Sequence, residues 1–469
     1  MQKQVLLQSQ GMAIRVSPNI FFVTLLTLLV MLGCLAPAEA QVVGKFDFGT
    51  GGLATGYQRV DATNMYNEQS GYGFDYGTQA VAINRSFYEG KVNPKANALN
   101  EDFCTSSGSM FFSMRLPEGT YRVTATLGDP IGSSQTTIKA ESRRLMVKEI
   151  NTAHGQLTKV SFLVHIWDSV IRPGEVVHLK PREIDKLDWD NKLTLEFGNE
   201  RPCLSALVIE KVAPEKTITV YLSGNSTVTD QQLEPWACWG QMIPAFFGPE
   251  KVAFANMAAS GETLRSSVGR KRLDKIAACL KPGDYLFIEF AHNDQKKGSG
   301  EIAFGSYNEY LRRYIDTARA HKAIPVLVTS TRRRSFNAQG GLNNTLGDFP
   351  AAMRQEAKKQ GVVLLDLNEM TKTLYLALGP ERSKILFVHY PKGSFPGQTS
   401  DLADNTHFSN FGGYELAKCL VTAIRAKIKP LAAFILPGTE NFDPAKPDDY
   451  AHWDLPFSPM FTNIKPYGN

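Results

Sequence analysis

The 469-residue chain has few cysteines and little excess charge, and both features exclude classes of protein. Its six cysteines show no spacing typical of a metal site, so no metal is expected. The net charge of +5 is mild and dispersed, and gives no indication of a nucleic-acid partner or an anionic membrane surface. There is no internal repeat and no low-complexity tract. The length favours two folded units over a single core.

Long apolar runs are also scarce, with one exception near the start of the chain. Residues 20–35 are nearly all apolar, follow two basic residues and precede Ala38-Glu-Ala40. This pattern predicts a signal peptide over residues 1–40 and a periplasmic or secreted protein that starts at Gln41. An uncleaved membrane anchor is the competing interpretation, but the run is short for a membrane span. A lipid anchor at Cys34, through Met31-Leu-Gly-Cys34, is a third interpretation, but Met31 is a weak first residue for a lipobox.

Removal of the predicted signal peptide would leave five cysteines, an odd number. At least one thiol would then be free or bonded to another molecule. Cys104 and Cys203 both lie in the first half of the chain, where they could pair with each other. Free buried cysteines explain the sequence equally well.

The pattern of apolar residues changes near Pro214. Before that point, short alternating runs are separated by turn residues, and this predicts a β-sandwich domain over residues 41–213. The clearest runs are residues 45–48, 110–114, 121–127, 192–197 and 204–209.

After Pro214, apolar strands alternate with amphipathic helices, one near residues 307–318 and another from Asn410. This predicts an α/β domain over residues 214–430, with a three-layer, doubly wound, flavodoxin-like parallel sheet. Residues 431–469, rich in proline and aromatics, predict an irregular tail packed on that domain. The predicted strands are 218–224, 251–256, 285–290, 324–330 and 362–367.

Several polar side chains follow these predicted strands. Ser226 follows the first predicted strand, and Asn293 follows the third. Asp404 and His407 lie three residues apart much further along the chain. Taken singly, Ser226 would more often cap a helix and the others would be loop residues. Together they supply a hydroxyl nucleophile, a base with its carboxylate and an amide donor, at the sheet edge where ligands bind. The set predicts acyl transfer.

Four short blocks follow one another along the second half of the chain: Gly224–Val228, Asn256–Gly261, Ala291–Asp294 and Asp404–Phe408. In these blocks and their order, residues 216–428 resemble the SGNH/GDSL hydrolases, and within them the rhamnogalacturonan acetylesterases. The N-terminal half resembles the galactose-binding-like β-sandwich that often accompanies such esterases. Its motifs are Phe46–Gly49, Gly71–Phe74 and Leu127–Asp129.

The resemblance implies a role for each matching residue. Ser226 would be the nucleophile, His407 the base and Asp404 the residue that orients the imidazole. The backbone N–H groups of Ser226 and Gly261 and the amide of Asn293 would form the oxyanion hole. It also implies that the substrate is an acetylated pectic polysaccharide or oligosaccharide, with no cofactor.

Three positions depart from the family pattern. Asn225 stands where an aspartate usually precedes the nucleophile, so reduced or retuned activity is expected. Ala291 replaces a glycine, a small change. Residues 260–263, Ser260-Gly-Glu-Thr263, stand where a Gly-Arg-Ser pattern is common in this branch of the family.

Other polar residues near the predicted site have two interpretations each. Arg332 and Arg333 follow the fourth strand and would bind substrate, or they belong to a solvated charge cluster. His292 would line the site or cap the strand. Glu289 and Asp294 could suggest a glycosidase pair, but structural roles are favoured.

Two other functions stay open. Asn225 and the predicted sandwich suggest a carbohydrate-binding protein that has lost its catalytic activity. Such a protein would be expected to have lost some of Ser226, Asn293, Asp404 and His407, and all four are present. A lipase or thioesterase would need a long apolar groove, and the loops near the predicted site are polar and aromatic instead. The sequence does not indicate an oligomeric state.

Overall fold

A computed structural model gives the fold of the chain. It describes residues 41–88, 91–92, 97–439 and 442–467. The predicted signal peptide, residues 1–40, lies outside the described residues. Within these ranges, no helix is both long enough and apolar enough to cross a membrane. From Val42 onward the described residues belong to one compact unit.

The first part of the chain folds as two stacked β-sheets. One sheet has the order β12-β9-β16-β1-β2, and β7 and β4 continue it beside β16; the other has the order β11-β10-β15-β8-β3. The strands are β1 (Gln41–Phe48), β2 (Gln58–Val60), β3 (Tyr72–Asp75), β4 (Val81–Asn84), β5 (Phe87–Tyr88), β6 (Lys91–Val92), β7 (Asp102–Thr105), β8 (Met110–Arg115), β9 (Gly119–Gly128), β10 (Ser134–Ala140), β11 (Arg144–Thr152), β12 (Leu157–Ile166), β13 (Val170–Arg172), β14 (Glu175–Val176), β15 (Lys192–Arg201) and β16 (Cys203–Lys211).

Alternating side chains form the core of this sandwich. On β9, Tyr121, Val123 and Ala125 are fully buried, while Arg122 and Thr124 between them are partly exposed. A period of two places one apolar set toward the opposite sheet, where Phe46 and Phe112 pack edge to face. The predicted β-sandwich is confirmed.

The second part contains a five-stranded parallel sheet of order β18-β17-β19-β20-β21, followed by an antiparallel pair, β22 and β23. These strands are β17 (Ile218–Gly224), β18 (Val252–Asn256), β19 (Tyr285–Glu289), β20 (Ile324–Val328), β21 (Val363–Leu365), β22 (Phe387–Tyr390) and β23 (Leu402–Phe408). The order 2-1-3-4-5 is that of a doubly wound, flavodoxin-like sheet. The predicted fold class is therefore confirmed.

Helices cover both faces of the parallel sheet, which gives three layers. Val220 and Leu222 of β17 pack in one core, and Tyr221 between them packs in the other. The helices are α1 (Trp239–Met242), α2 (Leu264–Gly269), α3 (Arg272–Cys279), α4 (Asn308–Ala320), α5 (Phe349–Gln360), α6 (Leu367–Arg382), α7 (Asn410–Lys427) and α8 (Lys429–Ala432). Side chains of α1, α6 and α7 share the first core, and those of α3, α4 and α5 share the second.

The five cysteines among the described residues are all free. Cys104 and Cys203 lie on the neighbouring strands β7 and β16 without forming a disulfide. The interpretation as buried free thiols is therefore correct for Cys104 and Cys203, and the interpretation as a disulfide is wrong.

The C-terminal tail packs on both parts of the fold. Trp453 lies against Phe411 of α7, and the Lys139 ammonium of β10 donates a hydrogen bond of 2.8 Å to the Pro456 carbonyl. The tail thus joins the sandwich to the parallel sheet. The boundary placed at residues 213 and 214 stays a prediction, because both parts belong to the same compact unit.

Candidate active site

Ser226 lies in a tight turn at the carboxyl end of β17. Gly224 is required there, because a Cβ would lie 2.5 Å from Val228 and 2.9 Å from the Glu289 carbonyl. The Asn225 side-chain oxygen accepts the backbone N–H of Thr227 at 3.1 Å. The Thr227 hydroxyl, which has one hydrogen, lies 2.9 Å from the Asn225 oxygen and 2.9 Å from a Glu289 oxygen. Asn225 therefore stabilises the turn through its oxygen, a role that an amide oxygen can fill.

His407 connects Ser226 to Asp404. Its Nε2 lies 2.9 Å from the Ser226 Oγ, and its Nδ1 lies 2.8 Å from an Asp404 oxygen. Asp404 and His407 both belong to β23, and the other Asp404 oxygen accepts the backbone N–H groups of Thr406 and His407. The three side chains are nearly inaccessible to solvent. This linear arrangement is the one that activates a hydroxyl for attack on a carbonyl.

The electrostatic environment keeps the imidazole neutral and the carboxylate charged. Burial lowers the pKa of His407, whereas the hydrogen bond and negative charge of Asp404 raise it. The positive charges of Lys465 and Arg333 lower this pKa further, so that it lies below the usual histidine value. Burial would raise the pKa of Asp404, but the hydrogen bonds and charge of His407 and the backbone N–H groups lower it overall. A neutral imidazole at neutral pH can accept the Ser226 proton.

Gly261 and Asn293, the predicted oxyanion donors, line the same cavity. Gly261 has a φ of +81°, a conformation that favours glycine. One hydrogen of the Asn293 amide is donated to the Glu262 carbonyl at 2.9 Å, and the second is left for a ligand.

A C-terminal segment, residues 462–467, passes along the candidate site. The Trp236 indole donates to the Thr462 carbonyl at 3.2 Å, and the Trp236 ring stands edge to face with His407. The Lys465 ammonium lies 3.1 Å from Asp404. Further on, the Tyr467 Cβ is 2.9 Å from the position a Gly261 Cβ would take. The tail therefore forms part of the wall of the site, which the sequence did not predict.

The three predicted substrate-binding residues have different partners. The Arg332 guanidinium forms an ion pair of 3.0 Å with Glu369 of α6. The Arg333 guanidinium donates to the carbonyls of Thr345 and His292, and its charge acts on His407 and Asp404. The His292 side chain is 1% exposed, and its Nε2 lies 3.2 Å from the Thr331 hydroxyl. The positive charge of Arg333 lowers the pKa of His407, and His407 in turn lowers the pKa of His292.

Glu289 and Asp294 are buried and hydrogen-bonded to protein groups. Glu289 accepts hydrogen bonds from the Thr227 hydroxyl and the Trp239 indole. Asp294 accepts the backbone N–H of Leu264. These contacts are those of structural residues. Among the described residues there is no group of three or more His, Cys, Asp or Glu side chains that could hold a metal ion.

Two arginines of the sandwich reach the loop that follows Ser226. Arg143 forms an ion pair with Glu234 and donates to the carbonyls of Gln231 and Trp236. Arg144 lies 2.9 Å from Asp230, and both side chains are almost fully buried. The sandwich therefore contacts the loop that follows Ser226 directly. Sequence reasoning missed both residues because nothing in a short β-turn indicates which distant loop it contacts.

Family profiles match both parts of the chain. The profile of the GDSL-like lipase/acylhydrolase family matches residues 222–412. A second, described as Beta-agarase/YXIM esterase-like, galactose-binding domain-like, matches residues 44–168.

Two curated relatives of the chain are esterases by their names. Rhamnogalacturonan acetylesterase RhgT of Bacillus subtilis (strain 168) is 42% identical over 219 residues, which cover 46% of this chain and 94% of that protein. The uncharacterized esterase YxiM of the same organism is 26% identical over 357 residues, covering 75% of this chain and 85% of that protein. A crystal structure of YxiM covers 83% of this chain and 99% of its own, at 24% identity and a TM-score of 0.43.

Proposed function

The chain belongs to the GDSL-like lipase/acylhydrolase family, and from this premise we propose that it is a secreted carbohydrate esterase that removes O-acetyl groups from rhamnogalacturonan. The observation that carries the proposal is the hydrogen-bonded series Ser226, His407 and Asp404 at the carboxyl edge of the parallel sheet. The relative that is 42% identical, a rhamnogalacturonan acetylesterase, supports the choice of substrate.

In the proposed reaction, the Ser226 Oγ attacks the acetyl carbonyl while His407 accepts its proton. Collapse of the tetrahedral intermediate breaks the ester bond, and His407 returns the proton to the sugar hydroxyl that leaves. Water, deprotonated by His407, then attacks the acetyl-enzyme and releases acetate and free Ser226. Asp404 holds the imidazole with Nδ1 protonated.

The negative oxygen formed in each step needs preorganised donors. We assign this role to the backbone N–H groups of Ser226 and Gly261 and to the free hydrogen of the Asn293 amide. Each such donor contributes roughly 3 kcal/mol to transition-state stabilisation. The proposed reaction needs no cofactor.

Export is part of the proposal and rests on the sequence of residues 1–40, which lie outside the described residues. The apolar run 20–35 and the Ala38-Glu-Ala40 site support it. A polymeric pectic substrate is also found outside the cell, where a secreted esterase would meet it.

Acetate release decides between this proposal and its alternatives. We expect faster release from acetylated rhamnogalacturonan fragments than from acetylated xylan, with p-nitrophenyl acetate as a reference substrate. Equal rates on the two polysaccharides would contradict the pectic assignment. Binding of the polysaccharide without acetate release would favour the non-catalytic alternative.

Arg333, rather than Arg332, is proposed to attract the carboxylates of a pectic substrate. In Arg333→Met, the ratio of kcat/KM on charged pectic fragments to kcat/KM on p-nitrophenyl acetate should fall about fivefold, the effect of roughly 1 kcal/mol from a partly exposed charge pair. Arg332→Met is the matched variant, because Glu369 already pairs with Arg332. The ratio is measured at low salt and pH 8, where His407 is neutral in all variants. Similar ratios in both variants would contradict the proposal.

Lys465 is expected to set the pH dependence of the reaction. Its ammonium lowers the pKa of His407, so Lys465→Gln should raise that pKa and move the acid limb of the kcat/KM profile to higher pH. The expected shift is up to about half a pH unit at low salt. Lys446→Gln, which changes an exposed tail lysine, should leave the limb in place. A shift toward lower pH in Lys465→Gln would be the opposite of the expected result.

A further inference from the structure

The cavity lined by Gly261 and Asn293 carries an excess of positive charge. Its volume is about 540 Å³, and its ten lining residues include four cations and no carboxylate. The cations are Lys180 of the sandwich part, Arg270, Lys296 and Lys297. A cavity of this composition beside a candidate oxyanion hole is suited to an anionic ligand.

Only two of the four cations have a protein carboxylate nearby. Lys180 and Arg270 both form ion pairs with the buried Glu262. Lys296 and Lys297 have no Asp or Glu oxygen within 4.0 Å among the described residues. These two ammonium groups are therefore the ones available to a ligand.

The loop that carries both lysines is held in place at its start. The Lys296 backbone N–H donates to the Asn293 carbonyl at 3.2 Å, and the Ser299 hydroxyl donates to the Asp294 carbonyl at 2.5 Å. Asp294 is itself fixed by the Leu264 N–H. The Lys296 backbone thus has a defined position relative to Asn293, and the half-buried Lys296 side chain is followed by the exposed side chain of Lys297.

Lys296 lies in a positively charged environment, where Asp404 pairs with Lys465 and, among the described residues, no Asp or Glu oxygen lies within 4.0 Å of Lys296 itself. Burial lowers the pKa of its ammonium, and the positive charges of Arg333 and Lys465 lower it further. A bound carboxylate would relieve this repulsion and replace part of the lost hydration with charge-assisted hydrogen bonds.

We propose that Lys296 and Lys297 form a carboxylate-binding subsite that holds a uronic acid residue next to the acetylated sugar. The inference rests on the proposed function, because the acetyl carbonyl is taken to lie at Asn293. A chain held by its carboxylate at the two lysines would place a neighbouring sugar at the oxyanion donors. The subsite would therefore select acetylated polyuronides over neutral acetylated polysaccharides.

Direct binding tests the subsite without relying on turnover. The probe is an unacetylated oligogalacturonide, titrated calorimetrically into the Ser226→Ala variant at low salt. Adding Lys296→Gln and Lys297→Gln should weaken its affinity roughly tenfold, as expected for the loss of two partly exposed charge contacts. Adding Lys358→Gln and Lys359→Gln instead, an adjacent exposed pair on α5, should leave the affinity unchanged. The neutral methyl-esterified oligosaccharide should show no dependence on either pair.

Equal affinities in the two lysine variants, or no binding of the oligogalacturonide to Ser226→Ala, would overturn the subsite. A kinetic measurement separates that failure from failure of the proposed function. If acetate is not released from acetylated rhamnogalacturonan, the proposed function is wrong, while the binding comparison still decides the role of Lys296 and Lys297. If acetate is released and the lysines have no effect on binding, only the subsite is wrong.

Discussion

Ser226→Ala is expected to reduce kcat for acetate release by roughly 10⁵- to 10⁶-fold, the loss seen when a triad serine is removed. Alanine lacks the hydroxyl that would form the acetyl-enzyme, and no other described side chain hydrogen-bonds the His407 Nε2. The fold should survive, because the loop is held through the Ser226 carbonyl, which accepts from Gln231 and Cys238. Acetate release and the thermal unfolding midpoint are measured together on the purified variant.

Ser223→Ala is the matched control for this experiment. Ser223 is a buried serine on the same strand, and its hydroxyl contacts Tyr314 at 3.4 Å rather than His407. We expect Ser223→Ala to keep most of the activity. Turnover close to wild type in Ser226→Ala would refute the proposed mechanism.

The largest effect on stability is expected from Arg144→Met. Arg144 is fully buried, lies 2.9 Å from Asp230, donates to the His165 carbonyl at 3.0 Å and stacks over Trp167. Methionine keeps part of the volume but leaves the Asp230 carboxylate without its cation in a site closed to water. Breaking a buried pair in this way costs about 3 to 5 kcal/mol of unfolding free energy. Urea unfolding of the full chain measures the loss.

Loss of the Arg144–Asp230 ion pair is also expected to affect the candidate active site. The Asn256 amide bridges Asp230 and the Val228 carbonyl, at 2.7 Å each, so Asp230 helps to hold the Ser226 turn. Arg144→Met should therefore lower kcat as well as stability. Arg172→Met is the control, because that side chain is 73% exposed and a surface ion pair such as the one with Glu175 contributes little to stability. Equal unfolding midpoints in the two variants would show that the buried pair does not hold the loop.

The parallel sheet and the sandwich could be predicted from local patterns. Residues 218–224 were expected to form a strand and do so as β17, and the helix expected from Asn410 is α7. Apolar spacing determines these elements because a strand or helix must bury one face whatever its partner is. The predicted ends of the strands were less accurate, because the strands expected to reach residues 330 and 367 end at Val328 and Leu365.

Asn225 shows what a motif alone leaves open. The sequence indicated a departure from the family pattern, and its effect depends on which atoms the side chain contacts. In the structure its oxygen accepts the Thr227 backbone N–H and lies beside the Thr227 hydroxyl, and an amide oxygen can make both contacts. Whether activity is reduced stays a prediction.

By itself, the sequence determined the two fold types, the family and the order of the polar blocks, because each is encoded in residues close together along the chain. Only the tertiary structure decided which distant side chains meet at the candidate site. It brought Lys180 and Arg144 from the sandwich and Lys465 from the tail to the edge that carries Ser226, and it paired Arg332 with Glu369 instead. These contacts depend on how separately folded parts pack against one another, and no local periodicity records that packing.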